Sequence, residues 1–303
     1  MTEERKSHFW LWVFLGGTAF VALLVAVFSL IGLAARGGRG GSQFAFGDKI
    51  GVIDLEGVIV EPRTMVRQLK DYADDDSIRA IILRVNTPGG GAAASQEIYS
   101  AVKRIRDSKK KKIVAAVETV GASGGYYVAS ATDKIYADPA SIVGSIGVIS
   151  QWVNYEDLMK WAKLKDVTFK AGALKDTGNP AREMTPEEKA YIQGLIDNMH
   201  QQFIQAVAEG RRMKVEDVKK IADGRVWTGE QALPLRLIDK VADFQTVVDE
   251  TAKSVGIKGE PVLVHPEKER RTLLDVLFGD ISEYLPSQTR LMENHVGFYY
   301  LWK

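Results

Sequence analysis

The chain contains no cysteine. That excludes disulfide staples, thiolate zinc sites, iron–sulfur clusters and thiol nucleophiles together. It does not assign a compartment, because the cytosol and an envelope space are both compatible with it. Histidine is scarce: His8, His200, His265 and His295 are the full set. None stands in a Gly-rich turn beside an acid, so a Ser-His-Asp triad has little support. Neither charge is in excess, with 40 Lys and Arg against 39 Asp and Glu and a net charge of +1. A nucleic-acid binder would normally carry a basic surplus or stripe, so that class is set aside.

What is present is an ordinary globular balance. The 303 residues are 46% hydrophobic and 26% charged, enough to bury a sizeable core in one large domain with attachments or in two domains. Between His8 and Ala35 there is no Asp, Glu, Lys or Arg. At about 1.5 Å per residue, an apolar helix over 9–35 would cross a hydrocarbon core of roughly 30 Å with length to spare. Trp10 and Trp12 stand near one end, where a headgroup layer favours them. A cleaved signal peptide is the alternative, but its apolar region would be about 7–15 residues. Arg5 and Lys6 before the span are matched by Arg36 and Arg39 after it, so charge leaves the orientation open.

The chain divides accordingly: a short tail over 1–8, a transmembrane anchor over 9–35, a Gly-rich linker over 36–47, a folded body over 48–257 and a C-terminal tail over 258–303. Within the body, the runs 50–55, 57–60, 79–85, 113–117 and 167–169 read as strands. Apolar spacings of three and four predict helices over 92–107 and from Thr185 onward, with further helices at 214–223, 228–235 and 242–255. Thr185-Pro186-Glu187-Glu188 is a helix start signal. The alternation of strand and helix implies βαβ crossovers and a mostly parallel α/β core. The apolar cluster Phe298-Tyr299-Tyr300-Leu301-Trp302 at the C-terminus is expected to dock on the body or on a partner.

Two Gly-rich loops each follow a hydrophobic strand and open a helix. They are Asn86-Thr87-Pro88-Gly89-Gly90-Gly91 and Gly121-Ala122-Ser123-Gly124-Gly125. Free backbone N–H groups at such a place can hold a phosphate or the oxyanion of acyl transfer. Neither loop has the Lys and Ser/Thr spacing of a P-loop, whereas a Ser on a Gly-flanked strand-to-helix turn has the layout of a nucleophile elbow. A Ser nucleophile needs a base, and with histidine poorly placed a lysine is the other solution. Its free pKa of about 10.4 must then be lowered by burial. Lys175, in Ala171-Gly172-Ala173-Leu174-Lys175-Asp176, is one candidate among many lysines.

These stretches, together with Gly144-Ser145-Ile146-Gly147-Val148-Ile149, Pro180-Ala181-Arg182-Glu183-Met184-Thr185 and Ala222-Asp223-Gly224-Arg225-Val226, resemble the signal peptide peptidase A family in order and spacing from about Lys49 to Val248. The resemblance, to the short, unduplicated form, implies a Clp protease/crotonase-like repeated βαβ core with an N-terminal transmembrane helix and a helical C-terminal part. It implies a membrane-anchored serine endopeptidase that degrades hydrophobic peptides, remnant signal peptides above all. Position by position, Ser123 would be the nucleophile, Lys175 the general base, Ser145 the residue that aims the lysine, and the N–H groups of Gly124 and Gly90 (or its neighbour Gly89) the oxyanion hole. It further implies a homo-oligomeric ring with sites completed between neighbours, a bilayer contact through 9–35, and a catalytic domain outside the cytoplasm on a single-pass inner-membrane anchor. No metal and no organic cofactor is implied. A crotonase-type enzyme acting on acyl-CoA and a non-catalytic membrane scaffold are the alternatives; the first predicts an acidic catalytic residue and gives no reason for the anchor or for Lys175, and intact Ser123 and Lys175 speak against the second.

Overall fold

The computed structural model describes residues 13–18, 48–266 and 299–302. Residues 13–18 are helical (α1) and belong to one unit, 1–47; the remainder belongs to a second, 48–303. Most of the expected anchor over 9–35 lies outside the described residues. Among those described, no helix is long and apolar enough to cross a membrane.

The second unit is an α/β fold built on a mixed, mostly parallel sheet. In chain order it runs β1 (Lys49–Glu56), α2 (Arg63–Asp74), β2 (Ile78–Thr87), β3 (Gly89–Gly91), α3 (Ala92–Ser108), β4 (Lys112–Ala122) and α4 (Gly124–Ala129). It continues through β5 (Lys134–Ala137), β6 (Ile142–Gly144), α5 (Glu156–Trp161), α6 (Pro186–Arg211), α7 (Val215–Lys219), β7 (Val226–Thr228) and α8 (Gly229–Ala232). The last elements are β8 (Lys240–Val241), α9 (Phe244–Ser254), β9 (Val262–Val264) and β10 (Tyr299–Leu301).

The sheet order is β7-β6-β4-β2-β1-β9, with β5 and β8 branching from β4. All of its pairings are parallel except β6 with β7. The continuous apolar runs of β1, β2 and β4 follow from burial on both faces. Ile50, Val52, Ala80, Ile82, Val114 and Ala116 pack with Val247, Val248 and Ala252 of α9. Their neighbours Ile53, Ile81, Leu83, Ile113, Ala115 and Val117 face the other way, into a core with α2, α3, α4 and α6. A strand alternates its side chains between faces, so each run serves two layers at once.

Several local expectations hold. Helix α3 covers the expected 92–107, and Thr185 caps α6 with a reciprocal capping box to Glu188. Two strand expectations do not. Residues 57–60 form no strand; Ile59 makes a single bridge to Gly90. Residues 167–169 are irregular, with Val167 and Phe169 largely exposed, because no neighbouring strand edge is there to pair with them. Helix α2 carries no foretold pattern, yet it buries Met65, Leu69, Tyr72 and Ala73 against the sheet.

Candidate active site

The site is assembled at the ends of β2, β4 and β6. The long strand β4 changes partner along its length: Val114–Val117 pair with β5, and Val120–Ala122 pair with β6. The last pair of the second set is Ala122 with Gly144. The next residue on each strand is a serine, Ser123 and Ser145, each at φ +52° and each buried.

Ser123 has ψ −115° and forms the N-cap of α4. For a residue with a Cβ this conformation costs about 1–3 kcal/mol and persists only where the surroundings fix it. They do so here. The Ser123 N–H donates to the Gly144 carbonyl at 2.7 Å, and the Ser123 carbonyl accepts from the Tyr127 N–H at 2.8 Å. The hydroxyl thus projects from a sharp strand-to-helix turn, at the end of a helix where negative charge is favoured.

Strand β3 supplies the facing wall. The Gly91 N–H donates to the Ile59 carbonyl (2.8 Å), and the Gly89 carbonyl accepts from Ile59 (2.9 Å). The N–H of Gly89 is engaged by Thr87 Oγ1 at 3.0 Å. Alternation along the strand turns the Gly90 N–H to the opposite side, toward α4. A Cβ added to Gly124 would lie 3.2 Å from the Gly90 nitrogen, and one added to Gly89 would lie 2.6 Å from the Gly124 nitrogen. Two backbone N–H groups, of Gly90 and of the first residue of α4, therefore converge beside Ser123. A pair of N–H donors at such a place can hold a developing oxyanion. Glycine is needed here because any side chain would fill the space between the two loops.

Ser145 is held from the other side, its N–H donating to the Arg225 carbonyl at 2.8 Å. Ser123, Ser145, Gly90 and Gly124 are thus brought together. Lys175 is not brought to them within this chain. It is exposed, in a turn of the 171–178 segment, and among the described residues no hydrogen bond or ion pair joins its amine to Ser123. Its neighbour Asp176 is fastened to Lys170 and to Arg182, which in turn donates to Glu188 at 2.8 Å. The two described histidines do not replace it. His265 faces Asp54 at 3.8 Å, and His200 lies on α6 with a buried, unpartnered Nε2. No cluster able to hold a metal occurs among the described residues.

One neighbour of the Ser123 turn was missed by sequence reasoning. The helix that follows Ser123 carries Tyr127 into a buried aromatic cluster, where it packs edge-on to Tyr99 (centroids 4.9 Å apart) and tilted to Phe203 (4.9 Å). Burial pushes the phenols of Tyr99 and Tyr127 up to about 12, so both stay neutral in any ordinary assay. The signal was present in Tyr126-Tyr127, directly after the Ser-Gly-Gly turn. Only packing shows that Tyr127 joins this cluster while Tyr126 turns its hydroxyl to the Leu237 carbonyl at 2.7 Å.

The comparisons agree with this geometry. The profile described as "Peptidase family S49" matches residues 105–258. The chain is 35% identical over 218 residues to "Putative protease MJ0651" of Methanocaldococcus jannaschii, covering 72% of this chain and 70% of that one. It is 34% identical over 250 residues to "Putative protease slr0021" of Synechocystis sp., covering 82% and 88%. It is 36% identical over 201 residues to "Putative signal peptide peptidase SppA" of Enterococcus faecium, covering 66% and 58%. A serine on a strained, Gly-flanked turn, two convergent N–H donors and these relatives lead to one conclusion: the chain belongs to peptidase family S49, as a short-form serine protease of the signal peptide peptidase A kind.

Proposed function

We propose that this protease degrades hydrophobic peptides at a membrane, remnant signal peptides foremost, by a Ser123–Lys175 mechanism. The observation that carries the reading is the strained Ser123 turn beside the Gly90 and Gly124 N–H groups. Neutral Lys175 takes the proton of Ser123 Oγ as that oxygen attacks the peptide carbonyl carbon. The carbonyl oxygen becomes an oxyanion held by the two N–H groups. The lysinium gives its proton to the leaving amine, the C–N bond breaks, and an ester to Ser123 remains. A water then passes a proton to the same lysine as its oxygen attacks the ester carbonyl carbon; the acyl C–O bond breaks, the lysinium returns the proton to Ser123 Oγ, and the acid product leaves, ionising to the carboxylate in solvent. Ser145, next to Ser123 in register, would accept a hydrogen bond from the amine and aim it. The scheme uses no metal or organic cofactor.

The exposure of Lys175 supports a site completed between copies of the chain in a ring. The segment that carries it also presents Trp161, Leu164, Val167 and Phe169 to solvent, from 62% to 95% exposed. Such a patch is what a second copy would cover. The apolar span over 9–35 would tether the ring to the inner membrane as a single-pass anchor, with the protease domain on the extracytoplasmic side. Tethering raises the enzyme's effective concentration for peptides left in the bilayer.

The test is subunit complementation. Ser123→Ala and Lys175→Ala chains, each inert alone against hydrophobic fluorogenic peptides, are co-expressed. If sites form between neighbours, random mixing restores about a quarter of them. Restored turnover supports both the dyad and the ring. Inert mixtures would reject completion in trans, and full activity of Lys175→Ala alone would reject the base.

A further inference from the structure

The side chain of Arg182 gathers the turn that bears Lys175. Its Nε donates to Asp176 Oδ2 at 3.2 Å, and Nη2 donates to the Asp176 carbonyl at 3.3 Å. Nη2 also donates to Glu188 Oε1, while Nη1 donates to Glu188 Oε2 at 2.8 Å and to the Glu183 carbonyl at 3.0 Å. A guanidinium has five N–H groups, and here each has an acceptor.

Asp176 adjoins Lys175, and both its carboxylate and its main chain are held. Lys170 Nζ donates to the other carboxylate oxygen and, at 3.0 Å, to the Ala173 carbonyl. The Asp176 carbonyl also accepts from the Asn179 N–H at 3.0 Å. The Lys175 N–H closes a turn onto the Gly172 carbonyl at 3.2 Å. Lys175 itself is exposed, the outward member of a turn that is fastened on both sides.

Glu188 carries the other half of this clasp. It lies in the first turn of α6, where its carboxylate also accepts from the Thr185 N–H at 2.8 Å. Among the described residues of α6 before Phe203, Glu188 is the one that is buried. From Phe203 onward the helix enters the core, through Phe203, Ile204, Val207 and Ala208. The 26 residues of α6 span about 39 Å at about 1.5 Å each. A helix embedded at one end and bare at the other is a stiff arm, and Arg182 ties the Lys175 turn to its tip.

We propose that Arg182 is the positioning residue of the base: it locks the Lys175 turn to the tip of α6, so that the amine is presented to Ser123 of another copy at a fixed height. The inference rests on the Ser123–Lys175 reading above, with sites completed between copies, and deepens it. The reach of the base is set entirely on the copy that supplies the lysine. A lysine at position 182 would keep the charge, but its single ammonium cannot bond two carboxylates and two carbonyls at once. A loosened base is costly, because a displacement of about 1 Å can slow a reaction by about 100-fold.

The test places Arg182→Lys in one or the other partner of a mixed, full-length oligomer. Ser123→Ala chains supply Lys175, and Lys175→Ala chains supply Ser123. On the lysine-supplying chain, Arg182→Lys should lower kcat of the mixture by about ten-fold or more, with KM little changed. On the serine-supplying chain, which has no base to position, the same change should be silent. Asp176→Asn, which opens the clasp from its other side, should show the same asymmetry, with one oligomer size throughout by light scattering. Equal losses in both placements would make Arg182 merely structural and overturn the inference, as would no loss in either. If the mixture without Arg182→Lys is inert while the unaltered chain is active, completion between copies is rejected. The clasp is then decided in the single chain, where Arg182→Lys must lower kcat by the same factor at constant KM and displace the pH profile. An unchanged kcat there overturns it too.

Discussion

Ser123 and Ser145 occupy equivalent positions on adjacent parallel strands. Each follows one member of the Ala122–Gly144 pair, each sits at φ +52°, and the Ser123 N–H bonds the carbonyl of the residue before Ser145 at 2.7 Å. Two strained serines fixed by one shared ladder form a rigid unit. Geometry of that kind is what a nucleophile and a base-aiming hydroxyl need. Ser123→Ala should therefore abolish turnover while thermal unfolding stays within about 1 kcal/mol of the parent. Ser145→Ala should lower kcat and displace the pH profile, with KM little changed. An unaltered pH profile in Ser145→Ala would reduce Ser145 to a structural role.

Gly90 offers a sharper probe of the donor pair. A Cβ there would stand 2.1 Å from the Ile59 carbonyl oxygen and 2.5 Å from its nitrogen, both backbone atoms, so β3 must shift. Loss of alignment of one oxyanion donor costs about 10²–10³ in kcat. Gly90→Ala should show a drop of that order, read by active-site titration together with steady-state kinetics. Undiminished kcat would remove Gly90 from the mechanism.

A lysine base acts as the neutral amine, so activity should climb as pH rises and show no acid optimum. The pH–rate profile between pH 5 and about 10 checks this directly. A bell centred on acid pH would point to a carboxylate base.

The segment carrying Lys175 has its own pH dependence. The Arg182 guanidinium, and next the Thr185 N–H, hold the Glu188 carboxyl at about 2 against an ordinary 4.5. Its folded-state value is depressed, so its contribution is complete above pH 4.5 and is lost as pH falls toward about 2. Protease nicking within 165–185 should accelerate across that window, when probed with an acid-active protease. In Glu188→Gln the segment should be nicked faster already at neutral pH. Equal nicking of Glu188→Gln and parent at pH 7 would show that this network does not hold the segment.

Arg211 tests the other end of α6. Buried to 8% exposure, it donates to Asp239 at 2.7 Å and to the Arg236 carbonyl at 3.0 Å, while Tyr126 of α4 donates to the nearby Leu237 carbonyl at 2.7 Å. Asp239 is about one-third exposed and can rehydrate when its partner is removed. Arg211→Ala should cost about 2 kcal/mol, read as a lowered denaturant midpoint. Because α4 follows Ser123, activity should fall in parallel. A midpoint unchanged from the parent would mean the ion pair is dispensable.

Much of this protein is decided locally. The runs of β1, β2 and β4, the Thr185 cap, helix α3 and both Gly-rich turns are legible because each rests on residues within a few positions of one another. Glycines permit the turn, a hydroxyl caps a helix, and a period of apolar residues chooses strand or helix. Ser123 could be singled out on those grounds, and the family resemblance assigned it a role. The register of one strand against another has no such local signature, because any of several pairings leaves an apolar strand equally buried. Only the folded chain sets Ser145 beside Ser123, turns the Gly90 N–H toward Gly124 while Thr87 engages that of Gly89, and leaves 167–169 without a strand to join. It alone lays Tyr300 against Gly90, since main-chain hydrogen bonds between residues more than 200 positions apart are chosen by the shape of the cleft and not by anything near either partner.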